Sequence, residues 1–306
     1  MNILVNWLQP HWNNNNLCII FDILGLLISM NKDNDNDNDN DNSNDDNDDN
    51  ALGAIGFMFD AIHEKIKKEI VFDNDITIVL NTIGDDPGHV QSGQYVWPAS
   101  IASGQYYISI NDTIQQQCNS KEGCVLELGA GCGLAGLVMS KLESINTIIF
   151  TDYDHGTLKL LHENIIINSN SNNSINTTTN SIQYIDDNNI TKTFIIDYLE
   201  WGKDIPQWNH YVNIIIGADL LYCSDVVEPL IKTISKVFHN NDILLNNNTN
   251  NIPKKCLFIL ISSFDTGDDV DDEMIRCLHH YGFKSTTIQE LSTNNNSCKI
   301  QHIEIV

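Results

Sequence analysis

The stretch "VLELGAGCGLAG", from Val125 to Gly136, constrains the fold of this chain more than any other. Four glycines fall within eight positions, directly after a short apolar run. An apolar run that ends in clustered glycine is a strand turning sharply into a helix, because glycine takes left-handed backbone without steric cost and lets a ligand approach the main chain. Two cofactor classes rest on such loops, dinucleotides and S-adenosylmethionine. Gly131-Cys132-Gly133-Leu134-Ala135-Gly136 satisfies the dinucleotide spacing GxGxxG, and Asp152 follows about 20 residues on. The apolar run, however, ends at Leu128, and Gly129-Ala130-Gly131-Cys132-Gly133 follows it as GxGxG, with the acidic Glu127 just before. That register suits the methionine half of S-adenosylmethionine, which carries an ammonium group and no pyrophosphate. A tight turn without a ligand is the remaining reading, and four glycines beside a carboxylate weigh against it.

Around this loop the pattern alternates. "ALGAIGFMFDAIHEKIKKEI" (51 to 70) has weak helical spacing, and "ITIVLNTI" (76 to 83) reads as a strand. A helix is expected over "VWPASIASGQYYI", then the strand "CVLEL", the glycine loop with its helix to Leu142, the strand "TIIFTD" and the helix "HGTLKLLHENIII". "TKTFIID", "YVNIIIGAD" and "CLFILISS" continue the strands, with helices at "SDVVEPLIKTISKVF" and "DDEMIRCLHHYG". Continuous apolar strands separated by helices imply a parallel sheet covered on both faces. The closing runs "STTIQEL" and "KIQHIEIV" have no helix between them, which suggests an antiparallel hairpin at one edge.

Asn-rich and Asp-rich tracts at 13 to 16, 31 to 50, 166 to 180, 240 to 251 and 293 to 297 carry too few apolar residues to offset the entropy of ordering them. The first two read as part of a leader over residues 1–50, and the others as enlarged surface loops. The remainder, roughly 230 residues, suits one α/β domain, placed at residues 51–306. Of the net charge of −25, the run from Lys32 to Asp49 supplies −8 through nine Asp against one Lys. The rest is still strongly acidic and holds one arginine, Arg276, so it repels phosphate backbones and argues against nucleic acid as a partner. Eight cysteines without a CxxC pair signal neither a zinc cluster nor a disulfide framework, and they fit reduced thiols in the cytoplasm. The apolar run "LCIIFDILGLLISM" (17 to 30) is too short to span a bilayer and contains Asp22, so no membrane association is expected. Met30 opens the polar leader and is a second candidate start of translation.

Asp152 ends the run "TIIFTD". In open α/β sheets ligands sit at the carboxyl edge of the strands, where a carboxylate accepts both ribose hydroxyls. Asp154 is the second candidate for that role. An isolated Asp here would cap the helix "HGTLKLL", but its place after the glycine loop favours ligand contact. Trp97 in "YVWPAS" and Trp201 in "YLEWG" lie beside loops; most tryptophans serve packing, yet an aromatic face near the carboxyl edge suits stacking on adenine. "GADLLY" (217 to 222) brings Asp219 and Tyr222 out on the same edge.

Taken in order and spacing, "VWPAS", "VLELGAGCGLAG", "IIFTDYD", "LEWG" and "IIIGADLLY" resemble the seven-β-strand protein-lysine methyltransferases of methyltransferase family 16. The resemblance implies a Rossmann-like class I methyltransferase, with a seven-stranded, mostly parallel sheet and an antiparallel edge strand. It implies S-adenosylmethionine held by Trp97, Gly129, Ala130, Gly131, Asp152, Trp201 and Ala218, no metal, and Asp219 with Tyr222 as the catalytic pair on the lysine side. Pro98 stands where many relatives carry an acidic residue, and Cys132 where Thr is common. The DPPY or NPPY sequence of enzymes that methylate nucleic-acid amino groups is absent. The expected activity is therefore N-methylation of a lysine on a protein substrate by a cytoplasmic monomer. A small-molecule methyltransferase and a catalytically silent, protein-binding version of the fold stay open. A nicotinamide oxidoreductase would need a second catalytic region after the glycine loop, and none is visible.

Overall fold

A computed structural model describes residues 65–84, 92–118, 123–169, 176–178, 180–186, 188–246, 256–293 and 296–305. The leader expected at 1–50 and residues 51–64 of the expected first helix lie outside the described residues. In chain order the elements are β1 (Lys65–Val71), β2 (Thr77–Ile83), α1 (Pro98–Ser109), α2 (Asn111–Gln117), β3 (Gly123–Leu128), α3 (Leu134–Met139), β4 (Ile145–Asp152) and α4 (His155–Asn168). There follow β5 (Asn176–Thr177), β6 (Ser181–Ile185), β7 (Thr191–Tyr198), β8 (Ile214–Ala218), α5 (Val227–Asn246), β9 (Leu257–Ser262), α6 (Asp268–Tyr281), β10 (Phe283–Thr293) and β11 (Asn296–Ile305).

The main sheet runs β10-β11-β9-β8-β3-β4-β7-β6-β5, and β1 pairs with β2 in a separate hairpin. The seven strands from β10 to β7 form the expected Rossmann-like arrangement. β7, β4, β3, β8 and β9 pair in parallel, and β11 is antiparallel to β9. The reversed strand therefore lies one place in from the edge, with β10 outermost. At the opposite edge β6 and β5 extend the sheet antiparallel.

Alternation along each buried strand feeds two cores. Val125, Ile148, Phe150, Ile214, Ile216, Ile259 and Ile261 face Tyr107 of α1, Leu137 of α3 and Leu161 of α4. Leu126, Leu128, Ile149, Ile215, Phe258 and Leu260 face Leu230, Ile231 and Ile234 of α5 and Met274 of α6. Every residue of β3 and β9 is buried, which is why these runs read as unbroken apolar sequence.

Three local expectations need correction. "KIKKEIV" (65 to 71) is β1 and not the end of a helix. Ile66 and Ile70 stand four apart, as in a helix, but pairing with β2 decides the backbone, and the lysines fall on an exposed edge strand where charge is well tolerated. The Asn-rich tract from 240 is helical to Asn246, because Asn241 is buried with its amide satisfied. Its Oδ1 accepts the Val212 N–H at 2.9 Å and its Nδ2 donates to the Val212 carbonyl at 2.8 Å. The tract at 166 to 180 likewise holds the last turn of α4 and the short β5.

Two more asparagines fasten the hairpin. Asn168 accepts the Val79 N–H at 3.0 Å and donates to its carbonyl at 2.7 Å. Asn164 does the same for Asn81, at 2.7 and 3.1 Å, and also donates to the Cys132 carbonyl of the glycine loop at 3.0 Å. Four helical residues advance about 6 Å and two strand residues about 6.8 Å, so the two spacings match. All seven cysteines among the described residues are unbridged, and no described helix is long and apolar enough to cross a membrane.

Candidate active site

The glycine loop leaves β3 with Gly129 at φ +57° and Gly131 at φ +54°. A Cβ on Gly129 would stand 2.9 Å from Leu220 Cδ2 and 3.2 Å from Trp201 Cζ2, and one on Gly131 would stand 2.8 Å from the Gly93 carbonyl oxygen. A side chain at either place is strained and obstructed, so the backbone stays bare.

Asp152 closes β4 beside this loop. Its Oδ2 accepts the Gly131 N–H at 3.0 Å and its Oδ1 accepts the Asp154 N–H at 3.1 Å. Burial pushes its carboxyl above the ordinary range, and these N–H groups oppose that shift. The Tyr153 N–H also acts on this carboxylate, and with four lone-pair sites on its two oxygens it keeps acceptor capacity for a hydroxyl. Asp154 is the N-cap of α4, accepting the Thr157 N–H at 2.7 Å. The capping role weighed for Asp152 therefore belongs to Asp154.

Glu127 is buried beneath the loop and accepts the Gly136 N–H at 3.0 Å. Burial, partly offset by that hydrogen bond, pushes its carboxyl up to about 8. A carboxyl group thus takes a donor in the first turn of α3 that a pyrophosphate would need. This favours the GxGxG register over GxGxxG.

Trp97 is the N-cap of α1, with Pro98 at the first helical position where no N–H is required. Its indole Nε1 donates to the Ser92 carbonyl at 2.9 Å, and its ring meets Tyr95 edge-on at 5.4 Å between centroids. The single turn Ser92–Gln94 therefore touches Trp97 through Ser92 and crowds Gly131 through Gly93. Trp201 is half-buried with its six-membered ring against Gly129. Ala218 ends β8, half-buried. The residues singled out as cofactor contacts thus gather at the carboxyl edge of β3, β4 and β8 and the loop after β7.

Asp219 follows Ala218 at φ +53°, a left-handed conformation that Asp tolerates better than most side chains. Its Oδ2 accepts the Ala99 N–H at 3.1 Å and the Ser263 hydroxyl at 2.7 Å; its Oδ1 accepts the Ser263 N–H at 2.7 Å. Burial raises its carboxyl pKa against these hydrogen bonds. "WPA" and "GAD" are thereby joined, since the first turn of α1 is capped by a carboxylate 120 residues away. Tyr222 lies half-buried in the same loop. A cavity of about 350 Å³, lined in part by Leu221, Ser262, Phe264, Asp271, Cys298 and Lys299, includes neither Asp219 nor Tyr222 in its lining. The closest group of metal-type donors among the described residues, Glu228, Glu273 and Cys277, lies elsewhere, and Arg276 hydrogen-bonds both of its carboxylates. Sequence reasoning missed Ser263; its place just after β9, on the same edge, was the only signal. It also missed Gly93, for which there was none.

The model of the lysine methyltransferase family, methyltransferase family 16, matches residues 79–263. The chain is 27% identical over 139 residues to EEF1A lysine methyltransferase 3 of Xenopus tropicalis, covering 45% of this chain and 50% of that one. It is 26% identical over 152 residues to protein N-lysine methyltransferase METTL21A of Mus musculus, covering 49% and 57%. With protein-lysine N-methyltransferase EEF2KMT of Homo sapiens it shares 28% over 148 residues, covering 48% and 40%. The chain spans about half the length of the curated relatives it matches. With its glycine loop, the parallel strands β3, β4, β7, β8 and β9 and the joined "WPA" and "GAD" segments all lying inside the matched region, the chain belongs to the lysine methyltransferase family.

Proposed function

We propose that this chain is a protein-lysine N-methyltransferase that takes its methyl group from S-adenosylmethionine and holds the target amine at Asp219 and Tyr222. The observation that carries the reading is the Asp219 carboxylate, fixed by Ala99 and Ser263 one residue past Ala218. The residues fit the cofactor. Gly129, Ala130 and Gly131 offer bare backbone for its methionine half, Asp152 has acceptor capacity for a hydroxyl of its ribose, and Trp97 and Trp201 supply aromatic surface for the remainder.

When bound, S-adenosylmethionine supplies an electrophilic methyl group on a sulfonium. The protein must present a neutral amine in line with it. A free lysine has a pKa near 10.4, so deprotonating it at pH 7.4 costs about 4 kcal/mol. Desolvation of the amine lowers that pKa, whereas the Asp219 carboxylate raises it. Asp219 is thus an orienting acceptor and not a strong base, with Tyr222 as a wall of the lysine channel. Holding the amine in line contributes most of the acceleration.

The test is transfer of tritium from labelled S-adenosylmethionine into a cell lysate, resolved on a gel. A discrete labelled protein band is expected; label confined to small molecules, or none, overturns the reading. In calorimetry S-adenosylhomocysteine should bind and NAD should not. The same proposal takes residues 51–306 as the catalytic domain, so a chain beginning at Ala51 should retain cooperative melting and transfer. It also places the enzyme in the cytoplasm, supported by the unbridged cysteines among the described residues, takes it to leave nucleic acid alone on its acidic charge, and takes it as a monomer. Sedimentation at a dimer's mass would overturn the monomer.

A further inference from the structure

The two oxygens of Asp219 are not equivalent. Oδ2 accepts two hydrogen bonds among the described residues, from the Ala99 N–H and the Ser263 hydroxyl, and Oδ1 accepts one, from the Ser263 N–H. A carboxylate oxygen has two lone pairs. Oδ2 is therefore filled, while Oδ1 has one acceptor direction remaining. Ser263 grips both oxygens at 2.7 Å from one residue, half-buried at the first position past β9. The final torsion of an aspartate is broad, so the plane of the carboxylate is set by its hydrogen bonds, and the short one from the Ser263 hydroxyl tightens that plane beyond what the two N–H groups provide.

The geometry points to Ser263 as a positioning residue for methyl transfer: its hydroxyl fills Oδ2 and fixes the plane of the Asp219 carboxylate, leaving the remaining acceptor direction of Oδ1 to the substrate amine. This rests on the function proposed above. The hydroxyl also stabilises the ionised carboxylate against burial, the state that can accept from an amine.

Ser263→Ala deletes the hydroxyl and keeps the backbone N–H; Ser263→Cys nearly keeps the volume with a weak donor; Ser263→Thr restores the hydroxyl. Each full-length variant is compared by S-adenosylhomocysteine calorimetry, by tritium transfer into the lysate band, and by carbon-13 NMR titration of the Asp219 carboxyl assigned against Asp219→Asn. Ser263→Ala and Ser263→Cys should lower turnover about tenfold, the worth of one hydrogen bond to a charged group. They should move the Asp219 titration upward and leave S-adenosylhomocysteine affinity within about twofold, and Ser263→Thr should recover turnover and titration together. Wild-type turnover in the Ala or Cys variant overturns the proposal, as does lost turnover with an unmoved titration. A wild-type protein that transfers no methyl group overturns the functional reading itself, and this proposal with it.

Discussion

Asp152 ends β4 and Asp219 follows β8, the two strands that flank β3, yet they are held in opposite ways. Asp152 is gripped by its own surroundings, the Gly131 loop against which it packs and the Asp154 N–H two residues on. Asp219 is gripped by Ala99, 120 residues earlier, and Ser263, 44 residues later. The first is a local device that forms once β3 and β4 pair. The second exists only when α1, β8 and β9 have all docked, and its left-handed backbone is stabilised by those partners. Cofactor binding should therefore tolerate damage elsewhere in the fold better than methyl transfer does.

The largest expected effect is on the cofactor half. Asp152→Ala loses the charge-assisted hydrogen bonding to the ribose, about 1.5 to 3 kcal/mol per bond, so S-adenosylhomocysteine affinity in calorimetry should fall 10²-fold or more. Unchanged affinity would move the ribose role to Asp154. On the other half, Asp219→Asn keeps a side chain that accepts left-handed backbone but turns its NH2 on one of the N–H donors, so it should fold with a lowered melting temperature and bind cofactor nearly as wild type. Its turnover should drop on the order of 10²-fold, about 3 kcal/mol. Cofactor affinity falling in step would erase the distinction between the two acids.

Glu127 tests the cofactor half through stability. Its folded carboxyl titrates near 8 because of burial, above its unfolded value. The native protein therefore keeps a proton that the unfolded chain has already released, and stability falls as pH rises from about 4.5 towards 8, then levels off. Glu127→Gln should remove about 1 kcal/mol of that decline between pH 6 and 7, read by urea unfolding. An equal slope in both proteins would mean that the carboxyl is ionised in the fold. The smallest effect is Tyr222→Phe, which keeps the ring and should cost only a few-fold in turnover if the ring is a channel wall. A loss as large as that of Asp219→Asn would give the hydroxyl a direct part in holding the amine.

The legible features were those whose cause is local in sequence. Gly129, Gly131 and Asp152 lie within 24 residues, inside one strand–loop–helix–strand unit whose apolar periodicity is clear. β1 was misread because its partner, β2, decides its backbone while its own Ile66 and Ile70 satisfy helical spacing. Ser263 was invisible for the same reason that Asp219 is fragile: its meaning depends on contacts with a residue 44 positions away. Asparagine was misjudged as a type. Its abundance reads as loop material, yet the tract beginning at 240 holds the buried Asn241.

Asn164, Asn168 and Asn241 share one geometry, in which a single side chain takes both the N–H and the C=O of one backbone residue. A side-chain amide is chemically a peptide group, so each acts as one rung of a β-ladder supplied by a helix. For β2 two such rungs stand where another strand would add, and the hairpin is closed to a second molecule on that side. Aspartate at the same places would keep the acceptor and turn a charge on the carbonyl, leaving that edge open to foreign strands. In this asparagine-rich chain, a residue type associated with shapeless sequence also covers the edge of a strand.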